Sequence, residues 1–254
     1  MNPSQPLLSV RGIVKRYGGL AASDGVDLDV ATGEIHSVIG PNGAGKTTLV
    51  GQLSGEIRPD AGQILFDGRD ITTVPTYRRS ALGLARSFQV TSIFPRLTVL
   101  ENVALAVQAH AGHSFVFWRP AAEEERLREP AREALARTGL ERHASSIAAT
   151  LAHGEQRRLE VAMAIATEPR LVLLDEPTAG MGPEETRQMV DLLHDLRRDT
   201  TILLVEHDMD VVFALSDRIS VLVYGRVIAT GSPEAIRANA DVRDAYLGEE
   251  YADG

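Results

Sequence analysis

Apolar residues in this chain fall into short β-branched runs separated by stretches with helical spacing. "LLSVRGIV" (residues 7–14), "VDLDV" (26–30), "IHSVIG" (35–40) and "ILFDG" (64–68) read as strands. "LVLLD" (171–175) and "TILLVEH" (201–207) are bare apolar runs, the pattern of parallel strands covered on both faces. "RISVLVYGRVIATG" (218–231) reads as two strands joined around Gly225 and Arg226. Helical spacing marks residues 46–54, 121–139, 155–167, 184–198 and 233–246. This alternation predicts an α/β core. From residue 76 to about 165 the pattern is mostly helical. There "EEERLREPAREALARTGLERHA" carries a solvated, charged face, and Pro130 is expected to break or restart a helix. A helical subdomain inserted over about residues 85–160 is the resulting expectation.

Composition narrows the class. A chain of 254 residues suits one large α/β domain, or one domain with a subdomain. The formal net charge of −9 argues against non-specific nucleic-acid binding. With no cysteine, disulfides, thiolate zinc sites and cysteine nucleophiles are excluded. The N-terminal "MNPSQPLLSVRGIVKRYGG" has no apolar core long enough for a signal peptide. No run of about 18 apolar residues occurs, so a soluble, cytoplasmic chain is expected.

The strongest chemical signal is "GPNGAGKTT", residues 40–48. Gly40, Gly45, Lys46 and Thr47 satisfy G-x-x-x-x-G-K-[ST] between an apolar strand run and a helical run. Glycines there let backbone N–H groups turn toward phosphates, and the following helix N-terminus adds partial positive charge. Lys46 is expected to reach the β- and γ-phosphates and the Thr47 hydroxyl to ligate Mg²⁺. The rest of the loop, Pro41, Asn42, Gly43, Ala44 and Thr48, completes the ATP cradle. "LVLLDEP" adds a buried strand ending in Asp175, placed to hold the same Mg²⁺, and then Glu176, placed to polarise an attacking water. His207 closes "TILLVEH" at the sheet edge where ligands of open α/β folds bind. The stretch "LAHGEQRRLE" (151–160) raises a separate question. Gly154 stands where a helix would take a capping side chain, leaving the backbone bare.

Together, the phosphate loop, "LVLLDEP", "VEHD" and a glycine-headed helix before the aspartate resemble the ATP-binding cassette (ABC) ATPases over essentially the whole chain. The resemblance implies one ABC ATPase domain spanning residues 1–254. Its α/β P-loop NTPase core would carry an inserted α-helical subdomain and an antiparallel β subdomain. It also implies that Leu151, Ala152, His153, Gly154 and Glu155 form the signature segment, which binds the γ-phosphate of ATP held by a second ATPase subunit in a head-to-tail dimer. By the same resemblance Tyr17 stacks on adenine, Gln89 touches Mg²⁺ and the attacking water, Glu176 is the catalytic glutamate and His207 contacts the γ-phosphate. Three signature positions depart from the family's Leu-Ser-Gly-Gly-Gln: Ala152, His153 and Glu155. Gly182, in "TAGMGP", stands where the family usually has an aspartate. Both departures touch the trans half of the site.

"LAHGEQRRLEVAMAIATEPRLVLLDEPTAGMGPEET" and the tail "GSPEAIRANADVRDAYLGEE" are similar to the ATPases of branched-chain amino-acid importers. That implies a non-identical ATPase partner, two transmembrane permease subunits, and, indirectly, a periplasmic or extracellular solute-binding protein. It places the chain peripherally on the cytoplasmic face of the inner (plasma) membrane, with ATP and Mg²⁺ as its ligands and no nucleic acid. Residues 90–103, "VTSIFPRLTVLENV", suit a docking surface for a cytoplasmic helix of a membrane subunit. The aromatic cluster "FVFW" (115–118) suits packing inside the helical subdomain better than contact with a membrane. The alternatives are an importer for urea, amides or other small solutes, and a soluble ABC ATPase outside transport.

Overall fold

The computed structural model describes residues 5–86, 93–110 and 125–250. Two sheets form its core. β1 (Leu8–Tyr17), β2 (Leu20–Val30), β4 (Ala61–Phe66) and β5 (Arg69–Asp70) make an antiparallel sheet in the order β2-β1-β4-β5. The second sheet runs β10 (Arg226–Gly231), β9 (Arg218–Val223), β3 (Ile35–Ile39), β8 (Thr201–Val205), β7 (Leu171–Asp175), β6 (Leu84–Arg86). It is parallel from β9 to β6, with β10 antiparallel at the edge. β3, β7 and β8 are buried along their whole length, which is why β7 and β8 read as bare apolar runs rather than alternating ones; in β3 the buried His36 and Ser37 are hydrogen-bonded to Ser220 and Ser216.

The sheets enclose a core containing Leu8, Val10, Ile64, Leu49, Leu53, Leu173 and Val205, with α1 (Lys46–Ser54) between them. On the opposite face lie α5 (His153–Ile165), α6 (Pro183–Leu196) and α7 (Met209–Leu215), which contribute to a second core with Leu174, Ile202 and Leu204. α3 (Val99–His110) and α4 (Glu125–Arg137) pack against α5 and bury Val103, Leu135 and Leu159 in that core. α2 (Thr76–Ala81) holds the C-terminal end of α1 through Arg79. That guanidinium is buried and donates to the carbonyls of Gln52 and Leu53 at 2.8 and 2.7 Å, and to Val74 and Thr72. Burial lowers its pKa to about 10, still high enough to keep it charged at neutral pH.

Several boundaries differ from the sequence reading. Pro130 lies inside α4 without ending it. A proline removes only its own bond to the carbonyl four residues back, here within the first turns, and the buried stripe of Leu127, Ala131, Ala134 and Leu135 runs past it. The helix expected over 233–246 is two helices, α8 (Pro233–Ala238) and α9 (Ala240–Glu250). They are separated by Asn239 in an extended conformation, whose side chain accepts the Val242 N–H. β8 stops at Val205, so His207 lies beyond the strand rather than closing it. Residue 85, the expected start of the helical insert, is in β6 and pairs with Val172 of β7. Among the described residues no helix is long and apolar enough to cross a membrane.

Candidate ATPase site

Strand order builds the site. β3, β8 and β7 lie side by side, so the segments leaving their C-terminal ends converge: the 40–48 loop, Glu206 and His207, and Asp175 with Glu176. The loop's shape depends on glycine at two positions. A Cβ on Gly40 would lie 2.0 Å from the Leu222 carbonyl oxygen, and one on Gly45, at φ 105°, would lie 2.1 Å from that of Ala22. Both neighbours are backbone, so no side-chain rotation relieves the contact. Lys46 reaches back into the loop, donating to the carbonyls of Gly40 and Pro41 at 2.5 and 2.9 Å. α1 begins at Lys46 with no acidic residue in its first turn and no side-chain cap at Gly45. An uncapped, acid-free helix start beside a buried ammonium is a seat for phosphate.

The cation side fits as well. Asp175 is 2 % exposed, and its Oδ1 is buried without a hydrogen-bond partner. Its Oδ2 sits 3.3 Å from Arg86. Burial pushes its pKa up; Glu176 next door pushes the same way, while Arg86 and Lys46 pull it down. An orphaned carboxylate oxygen at this edge matches what a hard divalent cation asks of a protein ligand. Thr47 is exposed at the start of α1.

Glu176 has φ 51°, a left-handed conformation that costs an ordinary residue about 1 kcal/mol or more. Its N–H donates to Val205 at 2.8 Å, which ties it to β8 and turns it off the line of β7. Its Oε1 lies 3.8 Å from His207 Nδ1, and the His207 side chain is 62 % exposed. Tyr17 is at the tip of the β1–β2 hairpin, 51 % exposed with the Lys15 ammonium 5.6 Å from its ring centre. Gln89 and residues 115–118 lie outside the described residues.

The 151–155 segment forms the start of α5. Leu151 is buried and Ala152 is the N-cap, so Gly154 is the second helical residue and not the cap. Glu155 does the capping: its Oε2 accepts the Ala152 N–H at 2.9 Å while Oε1 meets His143 at 3.2 Å. The bare face of Gly154 is covered from within the chain, since a Cβ there would lie 2.6 Å from Glu185 Oε1. His153 Nε2 donates to the Ala179 carbonyl at 3.1 Å.

Three residues at the site escaped the sequence reading. Arg86 bridges Asp175 and Glu56. Glu206 is fully buried: its Oε1 accepts both the N–H and the hydroxyl of Thr178, and Oε2 accepts the His207 N–H at 3.1 Å. Glu185 accepts the Gly182 N–H at 3.1 Å. Glu206 carried the one available signal, an acid inside the apolar run "TILLVEH".

The chain matches known proteins along most of its length. Residues 23–179 match the family described as ABC transporter, and residues 226–252 match that described as branched-chain amino acid ATP-binding cassette transporter. The chain is 44 % identical to the high-affinity branched-chain amino acid transport ATP-binding protein LivG of Escherichia coli K12, covering 97 % of this chain and 99 % of that one. It is 42 % identical to BraF of Pseudomonas aeruginosa, a protein of the same description, with the same two coverages. The crystal structure of the ADP conformation of MJ1267, an ATP-binding cassette of an ABC transporter, superposes with a TM-score of 0.86. It is 28 % identical and covers 96 % of this chain and 100 % of its own. A dimeric, post-hydrolysis cassette, MJ0796 bound to ADP and Pi, superposes at 0.76 with 27 % identity over 89 % of this chain and 98 % of its own. A family match over residues 23–179 and identities of 44 % and 42 % over nearly the whole length place this chain in the ABC transporter family, as an ATP-hydrolysing cassette of the group that includes LivG and BraF.

Proposed function

We propose that this chain powers the uptake of branched-chain amino acids as one of two ATPase subunits of an importer. The observation that carries the catalytic half is the convergence of Lys46, the unpartnered Asp175 oxygen, Glu176 and His207 at the ends of β3, β7 and β8. In this reading Gly40, Pro41, Asn42, Gly43, Ala44, Gly45, Lys46, Thr47 and Thr48 cradle the ATP phosphates and Tyr17 stacks on adenine. Thr47, Asp175 and Gln89 would hold Mg²⁺, which would supply neutralisation of phosphate charge. Glu176 orients the attacking water and accepts its proton, and His207, within 3.8 Å of Glu176, holds that carboxylate and reaches the γ-phosphate. Leu151, Ala152, His153, Gly154 and Glu155 face the ATP of the partner subunit. A non-identical partner fits a signature in which Glu155 brings a carboxylate to the helix start.

One ABC domain with a helical subdomain built around α3, α4 and α5 fits the packing of those helices on each other. A groove of about 490 Å³ supports docking to a membrane subunit. It opens between the sheet edge at Leu84–Arg86 and α3 and α5, with Tyr77 and Phe94 exposed on its rim. Through two such permeases the chain would sit peripherally on the cytoplasmic face of the membrane, and a solute-binding protein outside would deliver the amino acid. The test is recovery of the Glu176→Gln chain from detergent-solubilised native membranes in Mg-ATP. Co-purification of hydrophobic subunits and a second, different cassette is expected. Recovery of the chain alone, or with soluble partners only, would sink the transport reading. ATPase activity unaffected by Glu176→Gln would remove Glu176 from its role.

A further inference from the structure

Asp175 presents its two carboxylate oxygens unequally. Oδ2 lies 3.3 Å from Arg86 Nη2, whereas Oδ1 is buried and accepts no hydrogen bond from the described residues. Strand register sets up the contact. Arg86, the last residue of β6, stands opposite Leu173 of β7, and Asp175 follows Leu173 by two positions, on the same face of the sheet. The guanidinium is anchored from its other side by the end of α1 and the residues after it. Its Nη1 donates to Glu56 Oε2 at 2.6 Å and approaches the Ser54 hydroxyl at 3.4 Å. The Arg86 side chain is 8 % exposed, so packing holds it in this place. A planar fork fixed at one tine by Glu56 offers the other tine to Asp175 in a set direction, which a compact ammonium does not reproduce.

We propose that Arg86 sets the cation preference of this ATPase: by occupying Oδ2 it leaves Asp175 one free oxygen, so the carboxylate takes the nucleotide's divalent cation through a single atom and favours Mg²⁺ over Ca²⁺. Mg²⁺ demands near-octahedral geometry, and a carboxylate gripping with both oxygens closes an angle far narrower than an octahedron allows. Ca²⁺ gathers more oxygens in looser arrangements and readily uses both oxygens of one carboxylate. With Arg86 in place, the second oxygen is withheld from Ca²⁺; an apolar side chain at position 86 releases it. Arg86 is a positioning residue, since it acts on the cation through Asp175. Its positive charge repels either divalent ion alike, and a general loosening of the site would weaken both alike. The ratio of the two affinities therefore isolates the effect of the withheld oxygen.

Asp175 is a cation ligand only within the nucleotide-binding reading, on which this assignment rests, and the same titrations test that reading. Binding of a non-hydrolysable ATP analogue to the full-length chain is measured by calorimetry in excess Mg²⁺, in excess Ca²⁺ and in EDTA. The intact chain is expected to bind the Mg²⁺ complex at least about tenfold more tightly than the Ca²⁺ complex. Arg86→Met should bring the two affinities to within about threefold of each other, chiefly by a gain for Ca²⁺ relative to Mg²⁺. Arg86→Lys, which keeps the charge and loses the fork, should fall between the two. Equal losses for both complexes, leaving the ratio as in the intact chain, would give Arg86 a structural role and overturn the proposal. An unchanged ratio in Arg86→Lys overturns it as well if Arg86→Met does not fold. So does an intact chain that binds the Ca²⁺ complex as tightly as the Mg²⁺ complex, a result that needs no variant. Should the analogue bind under none of the three conditions, the nucleotide reading fails and the cation preference falls with it.

Discussion

Asp175 is where this fold gives up stability for its chemistry, and Asp175→Asn measures the sacrifice. The carboxylate is buried at the end of β7 with Oδ1 unpartnered, and a buried acceptor without a hydrogen bond costs about 1–3 kcal/mol, more when charged. Arg86 offsets part of this at 3.3 Å, yet the pKa is still raised, so the ionised form is worse off here than in the unfolded chain. An asparagine keeps a carbonyl for Arg86 and removes the charge. The nucleotide-free variant is therefore expected to be more stable by about 1–2 kcal/mol at pH 8. In a chain of this size that raises Tm by about 2–8 °C. The gain has a defined pH dependence. Because the folded-state pKa lies above the ordinary 3.8, the native state binds a proton before the unfolded state does as pH falls. Asp175 then becomes neutral in place, and the advantage of asparagine shrinks through the raised pKa and is gone below about 3.8. Thermal unfolding of both proteins from pH 8 to pH 4, without nucleotide, reads this directly, and Mg-ATP titration of the variant should show lost magnesium dependence. A variant less stable than the parent at pH 8, or an advantage that persists unchanged at pH 4, would refute the reasoning.

Gly45→Ala should lose ATP binding by more than about tenfold and cost roughly 2–4 kcal/mol, since its Cβ meets a β2 carbonyl at 2.1 Å and φ is 105°. Gly51→Ala is the contrast: its Cβ meets only the mobile end of Ile57 at 2.7 Å, so a loss under about 1 kcal/mol is expected. Fluorescent-nucleotide titration and urea unfolding check both, and equal damage would discredit the backbone argument. Arg79→Met should cost about 3–5 kcal/mol in urea unfolding, because carbonyls at the end of α1 and in the 72–74 turn lose their donors together; a loss below about 1 kcal/mol would show that water replaces them. Ala152→Ser places a hydroxyl at the N-cap of α5 and should stabilise the chain by about 1 kcal/mol, visible as a higher Tm. Unchanged ATPase of the assembled complex in that variant would mean the missing signature hydroxyl was never the limiting contact.

How the chain divides into elements was legible because the signals are local. A strand buried on both faces takes apolar side chains on both, so "LVLLD" marks β7 to the residue, while the run "TILLVEH" outlasts β8, which ends at Val205. The phosphate loop was legible for the same reason: its spacing lies within a single strand–turn–helix, and Lys46 needs no distant partner to be recognised. Boundaries were harder where two local tendencies compete. Pro130 reads as a breaker, but a buried stripe on α4 outweighs one missing hydrogen bond. Asn239 divides α8 from α9 because its side chain caps the second helix instead of continuing the first.

Tertiary structure decided everything that depends on which strands become neighbours. The insertion of β3 between β8 and β9 brings Lys46, Glu176 and His207 to one edge, and no periodicity along the chain encodes that order. It also decided what Gly154 is for within the chain. From the sequence the glycine looks like a missing cap; in the fold Glu155 caps the helix and Glu185 lies over the bare Cα. Glu206 stands in the sequence only as an acid inside an apolar run; packing buries it and makes it the joint between His207 and Thr178. The physical reason is common to all three. Propensity and periodicity act between residues a turn or a pleat apart, whereas a side chain's burial and partners are set by elements far away in sequence, and those appear only when the chain has folded.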